Sequence, residues 1–165
     1  MTRRRHLLAS LPLLGTTIGA GSAAAQPAKA PKAAQAAPDR FPGDPPEHKL
    51  VYQLNQPGDE HLSHILNSIG AVIGRHADNV AIAVVAFGPG IHLLAKTPKR
   101  PVSEDLRARA RSQAETYQVR FIACGNTMKT FDWTPKDMVD FAQVEEVGAA
   151  ALMELQEQGY AYIAW

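Results

Sequence analysis

The side chains best suited to chemistry in this sequence are few. Cys124 is the only cysteine, set where an apolar run, Val119-Arg120-Phe121-Ile122-Ala123, passes into Gly125-Asn126-Thr127. A thiol becomes a nucleophile as its thiolate, which needs a positive neighbour or backbone N–H groups pointing at it. His92 and Lys129 are the candidate positive groups, Gly125 admits close backbone approach, and Asn55 and Asn126 are candidates for lining a pocket. One thiol cannot bridge within its own chain. It is an inert buried side chain, an intermolecular partner or a reactive group, and the residues alone leave all three open.

Other groupings point to less. Gly88-Pro89-Gly90 lacks the third glycine of a dinucleotide fingerprint and the Lys-Ser/Thr of a phosphate loop, and Pro89 removes an N–H donor. It reads as a tight turn. His61 and His64 share one helical face with Ser68, opposite the apolar stripe, and no accompanying Glu or third ligand is evident. That face reads as surface, and no metal site is expected. Arg107, Arg109 and Arg111 alternate rather than stack, as solvated charge does. Met128, Met138 and Met153 read as packing; a metal site of Cys124 with His92 or Met128 is a third-ranked reading. No Ser-His-Asp set and no paired carboxylates at strand ends can be placed.

The elements that must position these residues alternate. Lys49–Leu54 reads as a strand, broken by Asn55-Gln56-Pro57-Gly58. A helix comes next with Leu62, Ile65, Leu66, Ile69, Val72 and Ile73 on one stripe, stopped by Gly74 in a left-handed cap. Val80–Phe87 is a continuous apolar run, as in a central strand covered on both faces. Ser103 caps the next helix, with Glu104 and Asp105 in its first turn and Leu106, Ala110, Ala114 and Tyr117 as its buried side. The third strand ends at Cys124, and Thr134-Pro135 opens a short helix. Gln143–Val147 is a fourth strand, Gly148–Gln158 a helix stopped by Gly159, and Tyr160–Trp165 a terminal strand. The β-α-β-α-β-(α)-β-α-β order predicts an α/β fold, a three-layer α/β/α sandwich on a mostly parallel five-stranded sheet. Ligands in such sheets bind outside the carboxyl ends of the strands, which gathers Asn55, His92, Cys124 and Asn126 at one edge.

The N-terminus reads as an address. Thr2-Arg3-Arg4-Arg5-His6-Leu7 resembles a twin-arginine signature with His6 in place of Phe, leading into a short apolar stretch and Ala23-Ala24-Ala25. That stretch is too short for a stable membrane anchor. The expectation is export to the periplasm with cleavage after Ala25, so that 1–25 is a signal peptide, 26–48 an Ala/Pro-rich linker and 49–165 the folded domain. Cleavage leaves 14 basic against 16 acidic residues, which excludes the concentrated basic face of a nucleic-acid binder.

Three stretches carry a resemblance. Gly88-Pro89-Gly90-Ile91-His92-Leu93-Leu94, Phe121-Ile122-Ala123-Cys124-Gly125-Asn126-Thr127-Met128 and Leu155-Gln156-Glu157-Gln158-Gly159-Tyr160-Ala161-Tyr162-Ile163, in order and in spacing, resemble the DsrE/DsrF-like family over about 49–165. The resemblance implies a five-stranded parallel sheet and a homo-oligomer, trimeric or hexameric. It also implies, from the best-understood branch, sulfur carried as a persulfide on a cysteine matching Cys124, with no bound cofactor. In that branch the cysteine opens a helix of small residues ending in Arg-Arg-Gly, whereas here Gly125-Asn126-Thr127-Met128-Lys129 comes after it. The expected function is periplasmic sulfur handling through Cys124, as a persulfide carrier or sulfurtransferase-like protein. Its partners are then a sulfur donor or acceptor protein or a small sulfur species. The alternative is a non-catalytic oligomeric binding module in which Cys124 packs.

Overall fold

The computed structural model describes residues 41 and 43–165. The expected signal peptide and most of the expected linker lie outside the described residues. The last linker residues are tied down: Glu47 N–H donates to Asn79 Oδ1 at 2.9 Å, and Asn79 Nδ2 donates back to Glu47 at 3.2 Å.

The chain runs β1 (His48–Leu54), α1 (Asp59–His76), β2 (Val80–Ala86), a 3-10 segment (Gly88–Leu94), α2 (Glu104–Tyr117), β3 (Arg120–Cys124) and α3 (Gly125–Thr130). A 3-10 turn (Pro135–Asp137), β4 (Ala142–Glu145), α4 (Gly148–Glu157) and β5 (Ala161–Ile163) complete it. The strands form one sheet in the order β4-β3-β2-β1-β5, and every pair is parallel. The chain steps from β1 outward to β4, then crosses back to place β5 on the far side of β1.

Alternation along the strands separates two cores. Tyr52, Leu54, Val84, Ala86, Phe121 and Ala123 face α1 and α2, together with Leu62, Ile65, Leu66, Ile69, Leu106 and Ala110. Val51, Ala83, Val85 and Ile122 face α4 through Ala151, Leu152 and Leu155. Three layers result. Each buried Leu or Ile of α1 contributes about 1.5–3 kcal/mol of transfer free energy, so the stripe rather than helix propensity holds α1 on the sheet.

Three expectations are corrected. α1 runs through Gly74 to His76 and ends at Ala77, whose φ is 50°; Gly74 has ordinary helical geometry and its neighbourhood is open. Tyr117 is 54% exposed, and Gln113 instead completes the buried side of α2, because its Nε2 donates to Leu66 O at 2.8 Å. Ser68 is not on a surface face: its hydroxyl pairs with Tyr52 OH at 3.0 Å. Ser103 does cap α2, accepting from Leu106 N–H at 3.4 Å.

Candidate functional site

Parallel pairing brings the carboxyl ends of β1, β2, β3 and β4 to one edge of the sheet. Cys124 is the last residue of β3, beside Glu145 at the end of β4, and its backbone is still extended. The next residues coil into α3 rather than a turn, with Cys124 at the N-cap. Asn126 N–H, which α3 cannot use internally, donates to Glu146 O at 3.0 Å. This ties α3 to the loop that leads from β4 into α4.

Cys124 is 6% exposed, and its sulfur sits against the start of α4. Gly148 N–H donates to Sγ at 3.2 Å. A Cβ on Gly148 would lie 2.9 Å from Cys124 Cβ and 3.3 Å from Sγ, with Phe87 at 3.5 Å; only a glycine lets the helix start approach this closely. Across the site, Gly88 N–H donates to Thr127 Oγ1 at 3.0 Å. That bond occupies a lone pair of the hydroxyl and leaves its hydrogen free to donate.

Burial pushes the Cys124 thiol pKa up. The N–H groups of Thr127 and Gly148, the Thr127 hydroxyl and Asn126 N–H push it down, and together they prevail, so the pKa lies below the ordinary value. The thiolate is thus supported by oriented donors, not by a side-chain cation.

The residues expected at this edge separate into three groups. Gly125 and the Asn126 N–H lie with the sulfur, Gly125 packed on Glu145 and Glu146. Lys129 does not act on the thiol; its Nζ lies 3.5 Å from Glu146 Oε1 and 3.5 Å from Asn126 Oδ1. Nor does His92, which is 2% exposed and packed edge-on against Phe131 and Trp133 at centroid distances of 4.8 and 5.2 Å. Burial, then Arg100 and Lys99, push its pKa down. Asn55 sits where β1 ends, its carbonyl 3.6 Å from a Cβ built on Gly88, and its Oδ1 is buried without a partner.

Sequence reasoning does not single out Thr127 and Gly148. Thr127 stands at the N3 position of a helix capped by Cys124, a spacing the sequence displays. Gly148 lies just past β4, and in a parallel sheet the segments leaving the neighbouring strands β3 and β4 must run side by side. A separate cleft is lined by Leu93, Glu104, Arg107, Arg111, Val139 and Phe141. Arg107 there binds the carbonyls of Ala95 and Lys96, and Arg111 binds Glu115 and Asp140. Among the described residues no cluster of three His, Cys, Asp or Glu fits a metal ion, and no helix is long and apolar enough to cross a membrane.

Residues 51–165 match the model of the DsrE/DsrF-like family. The fold is similar to that of a protein of unknown function from Methanobacterium thermoautotrophicum, at 26% identity and a TM-score of 0.57 over 72% of this chain and 100% of that one. It is also similar to the ychN protein from E. coli, at 12% identity and a TM-score of 0.60 over 72% and 99% of the two chains. No curated protein matches the chain significantly.

Proposed function

The chain belongs to the DsrE/DsrF-like family, and from that premise we propose that it carries sulfane sulfur as a persulfide on Cys124. The supporting observation is a buried strand-end thiol whose sulfur accepts the Gly148 N–H at 3.2 Å, a contact that favours the thiolate against the cost of burial. The thiolate attacks the outer sulfur of a persulfide or polysulfide. One S–S bond forms, the donor's S–S bond breaks, and the electron pair leaves with the donor's thiolate or shortened polysulfide. The proton of the transferred sulfur stays with it, so no net oxidant is needed. The same exchange in reverse, onto an acceptor thiol, unloads the carrier.

The Gly148 N–H holds the anionic sulfur, and the Thr127 N–H and hydroxyl favour the same charge. Gly125 keeps the backbone close, and Asn55 lines the approach between β1 and the 3-10 segment. His92 and Lys129 shape the surroundings without setting the thiol's charge.

The setting we propose is periplasmic, reached by the twin-arginine route with cleavage after Ala25, on the strength of the Arg3-Arg4 signature and the Ala23-Ala24-Ala25 site. The working form is a homo-oligomer, trimer or hexamer; exposed Tyr162 and Val144 on the two edge strands, with Val147 and Trp165 beside them, are suited to subunit contact. The partner is a donor or acceptor protein, or a small sulfur species.

The 6% exposure of Cys124 also favours a second reading, a binding module in which the thiol packs. Intact mass spectrometry after brief exposure to polysulfide separates the two. A reductant-sensitive gain of about 32 Da per sulfur, absent from Cys124→Ser, supports the carrier. No adduct, with Cys124 resistant to alkylation until unfolding, leaves the binding module.

A further inference from the structure

The 3-10 segment and the chain after it are fastened along their length to the run from α3 to Val139. Gly88 N–H holds Thr127 Oγ1 at 3.0 Å, and Lys99 Nζ holds Phe131 O at 2.5 Å. Val139 N–H and Lys96 N–H complete the seam on Leu94 O and Asp137 O, each at 2.8 Å. Between these fastenings sits His92, 2% exposed, with neither ring nitrogen hydrogen-bonded. Its close ring neighbours among the described residues are Phe131 and Trp133. An imidazole N–H directed at an aromatic face is a weak bond at best, and the second nitrogen has nothing. The same α3 run supplies Thr127 and Asn126 to the sulfur.

We propose that these two runs form a clasp over Cys124, pinned by His92, which loosens when the imidazole takes up a proton. Its bearing on sulfur transfer rests on the carrier reading above; the clasp itself does not.

The surroundings give an imidazolium no compensation. Lys99 and Arg100 are the charges that act on His92, both repulsive. β2 contributes no titratable side chain. β3 offers only Cys124 and, at its far end, Arg120, which is bound to Gln143. α2 faces this region with Arg107, engaged on the Ala95 and Lys96 carbonyls. α3 carries Lys129, paired with Glu146. The nearby carboxylate of Asp137 is held by Thr134, and Asp132 is exposed.

A proton therefore binds better to the open form, where water solvates the ring. Between the ordinary histidine pKa of about 6.5 and the lower value of the closed form, each pH unit multiplies the open population by about ten. The closed clasp is fully favoured above that window and is lost as the pH falls through it.

Trp133 reports the clasp directly, since the chain has two tryptophans and Trp165→Phe leaves Trp133 alone. In that full-length variant, lowering the pH from about 7.5 to 5 should quench and red-shift Trp133 emission in a one-proton step below about 6.5, with far-UV circular dichroism unchanged. His92→Phe should remove the step. A pH-independent emission, or a step that persists in His92→Phe, overturns the clasp. Where His92→Phe does not fold, the wild-type ring resonances decide. Titration of His92 below about 6.5, with the Trp133 indole moving at the same midpoint, supports the proposal, and titration at or above about 6.5 overturns it.

The link to the thiol is read with 4,4′-dithiodipyridine. Labelling of Cys124, corrected for the thiolate fraction, should rise about tenfold per pH unit through the window and stay flat in His92→Phe. A flat wild-type rate overturns the link. None of these readouts uses sulfur loading. A chain whose clasp titrates but whose Cys124 takes no sulfur keeps the clasp and loses the carrier, and the opposite result does the reverse.

Discussion

Cys124 and His92 end up buried on adjoining runs, both with depressed pKa values, for opposite reasons. The thiol's pKa falls because its charged form is favoured: Gly148, Thr127 and Asn126 direct donors at the sulfur against the cost of burial. The imidazole's pKa falls because its charged form is refused: burial, Arg100 and Lys99 all oppose the proton, and no acceptor is supplied. Burial alone does not make a reactive centre. What separates the two is whether the backbone has been bent to meet the side chain, and around Cys124 it has been, from both α3 and α4.

The largest test of that contrast is Gly148→Ala. Its Cβ would meet Cys124 Cβ at 2.9 Å, so the start of α4 must retreat. Overpacking of this kind costs about 1–3 kcal/mol, and the thiol pKa should rise as a donor is withdrawn. Urea unfolding and the alkylation profile measure the two effects. An unshifted profile would mean that α4 does not support the thiolate.

Thr127→Val should come next. It deletes the hydroxyl donor to the sulfur and leaves the Gly88 N–H without its acceptor, a loss of about 1–3 kcal/mol where that group stays dry. Thr127→Ser should restore most of both stability and thiol acidity. Equal behaviour of the Val and Ser variants would show that the hydroxyl is idle.

The contrast sharpens further with pH. His92 has a lowered folded pKa, so its share of stability is complete above about 6.5 and is lost as the pH falls through the folded value. Cys124 is also lowered, so its share is complete above about 8.5 and is lost as the pH falls through its own folded value. Urea midpoints across pH 5 to 9 should fall on the acid side at two separate steps. His92→Phe should erase the lower step and Cys124→Ser the upper; a single step that survives both variants contradicts the assignment.

The smallest expected effect belongs to Lys129→Ala. Its ion pair with Glu146 is exposed on both sides, worth about 0.5 kcal/mol or less. The thiol profile should not move. A rise in the Cys124 pKa would restore the lysine as the activating charge, which is how the sequence alone presents it.

The sheet was readable because its strands are apolar runs between turn residues, and the Cys124 strand end comes from that. α3 was not, because Gly125-Asn126-Thr127-Met128-Lys129-Thr130 buries only Met128 and so carries no helical stripe. Apolarity points to Tyr117 rather than Gln113, but a hydrogen bond to Leu66 O fixes the rotation of α2 at that point. At the site, residue type suggests His92 and Lys129 as activating charges, whereas the donor seen on the sulfur is the backbone N–H of Gly148. Any residue but proline has an N–H; only the fold aims it.

The most direct test of a donor-held thiolate is the rate of Cys124 alkylation by iodoacetamide in the folded protein, measured from about pH 6.5 to 10, above the window in which the clasp opens. Oriented donors predict a single titration with its midpoint below the ordinary thiol value of about 8.5. A midpoint at or above that value, or a thiol that reacts only once the protein unfolds, would contradict them.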